Sequence, residues 1–224
     1  LVGDVTGGLY AFEGKSGNIL WQRQEVHQGG LLAMSIHPEG DVFATAGQDG
    51  RVVIWKSKGG ELIKSLELGK GWVEHLKWSP DGRFLAVAFS RYVCIFDVDG
   101  IEKWRSGEHP STISAINWSN DTELATACYG RVTFFQVHSD QVNQKLEWQG
   151  SLVSMVLSPN GDIVACGSQD NSVHFWRRST GQDAEMTGYP GKPSQLAFDH
   201  TGLLLATGGS ELITVWSFQD NGPE

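Results

Sequence analysis

Seven histidines, three cysteines and two acids at matching places in the chain are the residues whose types could do chemistry. His27, His37, His75, His109, His138, His174 and His200 are scattered. None forms the H-x-x-x-H or H-E-x-x-H pair that sets two imidazoles on one metal. Cys94, Cys128 and Cys166 lie in apolar runs, are odd in number and lack C-x-x-C spacing. They read as buried free thiols in a reducing compartment, not as a zinc site or disulfide framework. No G-x-S-x-G, Walker or helix-opening G-x-G-x-x-G sequence occurs, and Gly69-Lys70-Gly71 lacks the rest of a phosphate loop. Asp49 and Asp170 recur at equivalent turns, which fits a structural role better than an acid and base pair. The reading is of a protein that is not an enzyme, with no catalytic residue, no metal and no cofactor.

The elements that hold these side chains are short strands. Of 224 residues, 40% are hydrophobic, with 28 glycines against 7 prolines and nine tryptophans, a composition of tight turns between aromatic-bearing strands. The formal charge of −9 repels polyanions and the longest basic run is Arg177-Arg178, so nucleic acid is not an expected partner. No stretch approaches the 18 or more apolar residues of a membrane span, and no membrane insertion is expected. The start, Leu1-Val2-Gly3-Asp4, lacks a signal-peptide pattern. A cytoplasmic address and a portion of a longer chain or complex are expected.

Two internal rulers organise the chain. The turn His37-Pro38-Glu39-Gly40 recurs as Ser79-Pro80-Asp81-Gly82 and Ser158-Pro159-Asn160-Gly161, with weaker copies at Ser119-Asn120-Asp121-Thr122 and Asp199-His200-Thr201-Gly202. Aromatic residues ending apolar runs, Phe12, Trp55, Phe96, Phe135, Trp176 and Trp216, keep the same register of about forty residues. Within one unit, 31–36, 42–46, 52–55 and 62–66 read as four strands separated by turn chemistry. Pro-Asp-Gly suits such a turn: proline presets φ, the acid bonds its own backbone, and glycine accepts φ > 0.

Repeated four-stranded units of this length are the signature of β-propeller blades. The run Phe43-Ala44-Thr45-Ala46-Gly47-Gln48-Asp49-Gly50-Arg51-Val52-Val53-Ile54-Trp55, with a second copy from Val164 to Trp176, resembles the WD-repeat family. The Trp-Asp pair itself is nowhere intact, so the resemblance is to a degenerate member. It implies an all-β propeller of four-stranded antiparallel blades, with four complete blades at 24–68, 69–107, 108–149 and 150–188. Partial blades would stand at 1–23 and 189–218, with a tail at 219–224, the whole being one domain that is an incomplete portion of a seven-bladed parent, or else a smaller ring in which the first and last segments share a blade. It also implies a structural tetrad, which only His27, Thr45, Asp49 and Trp55 match in full. Thr126 follows His109 without the acid, and Cys166 and Trp148 replace hydroxyl and imidazole beside Asp170 and Trp176. Trp78 and Trp118 share a packing position, whereas Trp104 and Trp148 fall on outer strands as a candidate side-wall patch.

The resemblance implies a scaffold or adaptor that takes a protein or peptide on the face carrying the loops before each first strand and the second-to-third turns. Leu32, Trp72 and Glu74 fall in those loops, and Gln48, Arg91, Tyr129 and Gln169 in those turns. Trp72, Arg91 and Tyr129 are the expected hot spots, since these side chains join large contact area to a polar handle. Two alternatives stand beside this one. Residues 9–21 look like a quinoprotein strand, Gly-turn, strand unit, hence an enzyme with a metal or redox cofactor. The other is a structural domain of a longer signalling protein.

Overall fold

The computed structural model describes residues 1–139 and 141–219. These divide into two compact units, Leu1–Glu108 and His109–Glu224, split where the second full repeat gives way to the third.

The first unit holds three antiparallel sheets. The opening sheet joins β1 (Val2–Gly3), β2 (Leu9–Phe12) and β3 (Ile19–Arg23). The next joins β4 (Leu31–Ile36), β5 (Val42–Gly47), β6 (Arg51–Lys56) and β7 (Leu62–Glu67) in chain order. The third joins β8 (His75–Trp78), β9 (Phe84–Phe89), β10 (Tyr92–Asp97) and β11 (Glu102–Arg105). Middle strands are apolar almost without a break, Phe84-Leu85-Ala86-Val87-Ala88-Phe89 for example, because both faces of each sheet are covered. The outer strands β7 and β11 are largely exposed. One core cluster packs Ala46, Val52 and Ile54 of the second sheet against Leu76, Trp78 and Val87 of the third, and another packs Leu9 and Trp21 against Phe43 and Trp55.

The second unit holds β12 (Ala115–Trp118), β13 (Glu123–Gln136), β14 (Val142–Leu157), β15 (Ile163–Ser168), β16 (Val173–Arg177) and β17 (Gln182–Met186) as one six-stranded sheet. A three-stranded sheet follows, β18 (Gln195–Phe198), β19 (Leu204–Gly208) and β20 (Thr214–Ser217). Two four-stranded blades were expected between 108 and 188. Both can be traced within the six-stranded set: β13 doubles back at Cys128-Tyr129-Gly130, since Val137 N donates to Thr122 O at 2.8 Å across its two ends, and β14 changes partner along its length, Val142 to Glu147 pairing with β13 and Leu152 to Leu157 with β15. The end segments are three-stranded, and among the described residues β1 and β20 pair on one side only. Of the expected tail at 219–224, residues 220–224 lie outside the described residues.

All three cysteines are buried free thiols. Burial pushes the Cys94 thiol up to about 11, so it carries little thiolate near neutral pH. Trp78 and Trp118 are buried as packing residues. Trp104 and Trp148 are half-buried, which removes the side-wall patch for the latter: its ring stacks 3.9 Å from His174. Among the described residues, no helix is long and apolar enough to cross a membrane.

Candidate functional site

Hydrogen bonds join the four tetrad residues. Thr45 on β5 and Trp55 on β6 are brought together by the hairpin register, in which Phe43 faces Trp55 and Thr45 faces Val53. Trp55 Nε1 donates to Thr45 Oγ1 at 2.9 Å, Thr45 Oγ1 lies 2.9 Å from His27 Nε2, and His27 Nδ1 lies 3.0 Å from Asp49 Oδ1. An indole only donates and a carboxylate only accepts, so the protons run one way, from Trp55 to Thr45 to His27 to Asp49. That order requires neutral His27 with its proton on Nδ1. Burial holds the His27 pKa below its ordinary value against the opposing pull of Asp49. Asp49 is itself held low: burial opposes ionisation, but bonds from His27 and from the Gln28 and Arg51 backbone amides outweigh it. These bonds pin the lead-in at Gln28 to the turn at Asp49.

Related chains elsewhere are shorter. His109 Nε2 meets Thr126 Oγ1 at 2.9 Å, with Phe135 in the tryptophan's place. At 189–218, Tyr189 supplies the polar group: Trp216 Nε1 donates to its hydroxyl at 2.8 Å and that hydroxyl lies 2.8 Å from Thr207 Oγ1. Sequence reasoning missed this set, although Tyr189 precedes Asp199 by the same ten residues as His27 precedes His37. Around Trp176, the expected replacement is filled differently, with His174 between Trp148 and Trp176 and its Nε2 3.1 Å from Asp183 Oδ2.

Burial lowers the pKa of His27, His75 and His174. A histidine with folded pKa below its unfolded value near 6.5 contributes stability above that value. As pH falls through it, the unfolded chain takes up protons that the folded chain refuses. Thermal stability is therefore expected to drop between pH 7 and 5, measured by unfolding in matched-ionic-strength buffers. A flat or rising profile would contradict the burial of these imidazoles.

The expected contact residues fall into two sets. In the first unit, His75 pairs with Ala88 and Tyr92 with Phe89, so the loop bearing Trp72 and Glu74 and the turn Ser90-Arg91 lie at one end of one sheet. Ser90 takes φ 55°, the left-handed conformation of a tight two-residue hairpin, which presents Arg91 at the tip. Trp72 is 57% exposed and Glu74 is exposed. Arg91 Nη1 lies 2.9 Å from Glu108 Oε1 with both side chains substantially exposed. Leu31 likewise pairs with Gly47, so Leu32 and Gln48, both half-buried, share the corresponding end of the neighbouring sheet.

These two ends touch through the backbone. Val73 N donates to Gly47 O at 3.1 Å between the two sheets, and Leu68 N to Gly50 O at 3.0 Å ties the start of the connecting loop back to the end of its own sheet. Gly50 permits the approach, since a Cβ there would stand 1.9 Å from the Gly69 carbonyl. Beside this seam lies a groove of about 440 Å³ lined by Gln28, Asp49, Arg51, Glu67, Gly69 and Lys70. Sequence reasoning did not find it, because its wall is assembled from a lead-in, a turn and a strand end. In the second unit, Tyr129 is 61% exposed and Gln169 is exposed, its amide donating to Ser151 O at 2.9 Å.

The family model described as "WD domain, G-beta repeat" matches residues 20–56, 60–97 and 131–177, together more than half of the chain. Protein HIR1 of Mycosarcoma maydis is 27% identical over 183 residues, covering 66% of this chain and 18% of that protein. Autophagy-related protein 16 of Arabidopsis thaliana is 23% identical, covering 85% of this chain and 39% of the relative. The 77 kDa echinoderm microtubule-associated protein of Strongylocentrotus purpuratus is 25% identical over 95% of this chain and 38% of its own length. The chain thus spans well under half of these relatives. A chain in the "Crystal Structure of Mitotic Checkpoint Complex" superposes with a TM-score of 0.85 at 19% identity, over 97% of this chain and 70% of that one, and shows the β-propeller fold. Proteins of this kind generally mediate contacts between proteins. The first family match includes the end of the segment that looked like a quinoprotein unit, and on the three matches together the chain belongs to the WD-repeat (WD40) family.

Proposed function

We propose that this chain is a non-catalytic recognition module, a scaffold or adaptor that holds a protein or peptide partner at the sheet ends bearing Trp72 and Arg91. The observation that carries the reading is the 57% exposure of Trp72 at the end of a sheet whose hairpin tip presents Arg91, next to the groove along Asp49 and Lys70. A large indole left in water costs the free protein and is recovered when a partner covers it, which is how hot spots behave. Glu74 and Gln48 add polar specificity on the same rim, and Tyr129 and Gln169 offer a corresponding set on the second unit. The backbone bonds of the seam hold the site in shape before a partner arrives, so little ordering entropy is lost on binding.

The test is a double replacement, Trp72→Ala with Arg91→Ala. The Arg91 and Glu108 pair is exposed and contributes under about 1 kcal/mol, so thermal stability should change little. Loss of two hot-spot side chains should weaken partner binding by roughly 2 kcal/mol or more, about thirtyfold. Surface plasmon resonance against the captured partner reads this directly. Equal affinity of mutant and wild type would sink the assignment of the contact end.

A further inference from the structure

The turn between β4 and β5, His37-Pro38-Glu39-Gly40-Asp41, carries three groups able to ligate a metal ion, whose ligand atoms all lie within 4.8 Å of one another. Ile36 pairs with Phe43 while Leu31 pairs with Gly47, so this turn sits at the end of its sheet opposite the recognition site. We propose that it binds a divalent first-row transition ion through His37 Nδ1 and the carboxylates of Glu39 and Asp41.

The imidazole is built in rather than displayed. His37 is 8% exposed, its ring meets Trp78 edge-on at 5.1 Å, and its Nε2 lies 2.9 Å from the Gly82 carbonyl oxygen. Gly82 is needed there, since a Cβ would stand 2.1 Å from that nitrogen. A carbonyl only accepts, so Nε2 carries a proton, and the Glu39 amide donating to Nδ1 makes that nitrogen the acceptor, with its lone pair on the side of the acids. Metal-bound histidines show this arrangement, one nitrogen on the ion and the other donating to a carbonyl. Nδ1 lies 3.3 Å from Asp41 Oδ1, and its one hydrogen-bond donor among the described residues is the Glu39 amide, at a long 3.3 Å. Ligands bound at about 2.0–2.2 Å around a tetrahedral ion stand roughly 3.3–3.5 Å apart, so this pair already has the spacing of one tetrahedral edge. Glu39 is exposed, and its carboxylate lies within 4.8 Å of the other two ligand atoms.

The equivalent turns make the contrast. Where His37 stands, Ser79 and Ser158 close their own turns on Asp81 and Asn160. Asp81 bonds the Arg83 guanidinium, and Asp162 lies 3.6 Å from Arg177. Glu39 and Asp41, by contrast, have no lysine or arginine partner among the described residues. Two carboxylates facing an imidazole lone pair call for a cation, and one nitrogen with two oxygens suits zinc and its neighbours while leaving a fourth position open.

The test is calorimetric titration of the 224-residue chain with zinc chloride, beside Asp41→Asn and Glu39→Gln. Both replaced side chains are exposed, so the variants should unfold at the wild-type temperature. His37 itself stays intact, because removing it would strip packing from Trp78. The expected result is one zinc per chain for wild type and at least about tenfold weaker binding in each variant. In NMR spectra of wild type, the His37 Nε2 proton should persist on zinc addition while Nδ1 shifts. No binding heat, or zinc affinity equal in wild type and both variants, would overturn the proposal. Because the turn lies away from Trp72 and Arg91, failure here leaves the recognition site untouched.

Discussion

Replacing Arg178 by alanine should lower the stability of the second unit by about 3 kcal/mol, the scale for leaving one partner of a largely buried ion pair alone. Arg178 follows β16 and spends its guanidinium on a single network. Nη1 lies 3.0 Å from Glu123 Oε2, 3.1 Å from Ser119 Oγ and 3.2 Å from the Gly161 carbonyl oxygen, and Nε donates to Gln144 Oε1 at 2.7 Å. Its Cζ sits 3.7 Å from the Phe134 ring centroid, a stacking geometry that lysine would not reproduce. Glu123 is 7% exposed. Burial works against its ionisation, but Arg178 and Asn143 hold its pKa below the ordinary value. Removing the arginine leaves a buried carboxylate with only the neutral donors Asn143 and Ser119 beside it, and its pKa should rise. The loss should be smaller in the double variant with Glu123→Gln, which removes the orphaned charge, and thermal unfolding of the three proteins measures the difference. Identical loss in single and double variants would mean that packing on Phe134, not charge, carries the contribution.

Thr45→Val and Asp49→Ala should each cost about 1–3 kcal/mol, because each breaks a one-way chain of buried hydrogen bonds and orphans its neighbour. Thr45→Val keeps the shape and removes the hydroxyl on which Trp55 and His27 both depend. Asp49→Ala strips the acceptor from His27 Nδ1 and from the Gln28 amide, freeing the lead-in from its turn. For a domain of this size each kcal/mol moves the unfolding midpoint by roughly 2–4 °C. Asp49→Ala should also loosen the groove, which Gln28 and Asp49 line together. Unchanged midpoints in both variants would remove the tetrad as a source of stability.

How much of this was legible in the chain follows from how local each interaction is. The turn Ser-Pro-Asp-Gly and the aromatic strand end are local chemistry, so the forty-residue register could be read from five turns and six aromatics. The tetrad was legible because its members keep fixed offsets from that register. Tyr189 was equally available by offset, but a rule naming histidine at that place passes over a phenol able to make the same bonds. Arg178 gave no local signal, its partners Gln144, Glu123 and Ser119 lying 34 to 59 residues earlier in the chain. The zinc turn escaped a search for paired histidines because one of its ligands is an imidazole and two are acids.

The central claim is that partners engage the sheet end bearing Trp72. A photocrosslinking residue placed at position 72, and separately at position 101, tests it most directly. Ile101 is 55% exposed in the turn between β10 and β11, at the opposite end of the same sheet, since Asp97 pairs with Phe84. A covalent partner trapped from position 72, not from 101, and lost when Arg91 is replaced by alanine is the result expected. The same partner trapped equally from both positions, or retained without Arg91, would contradict the account.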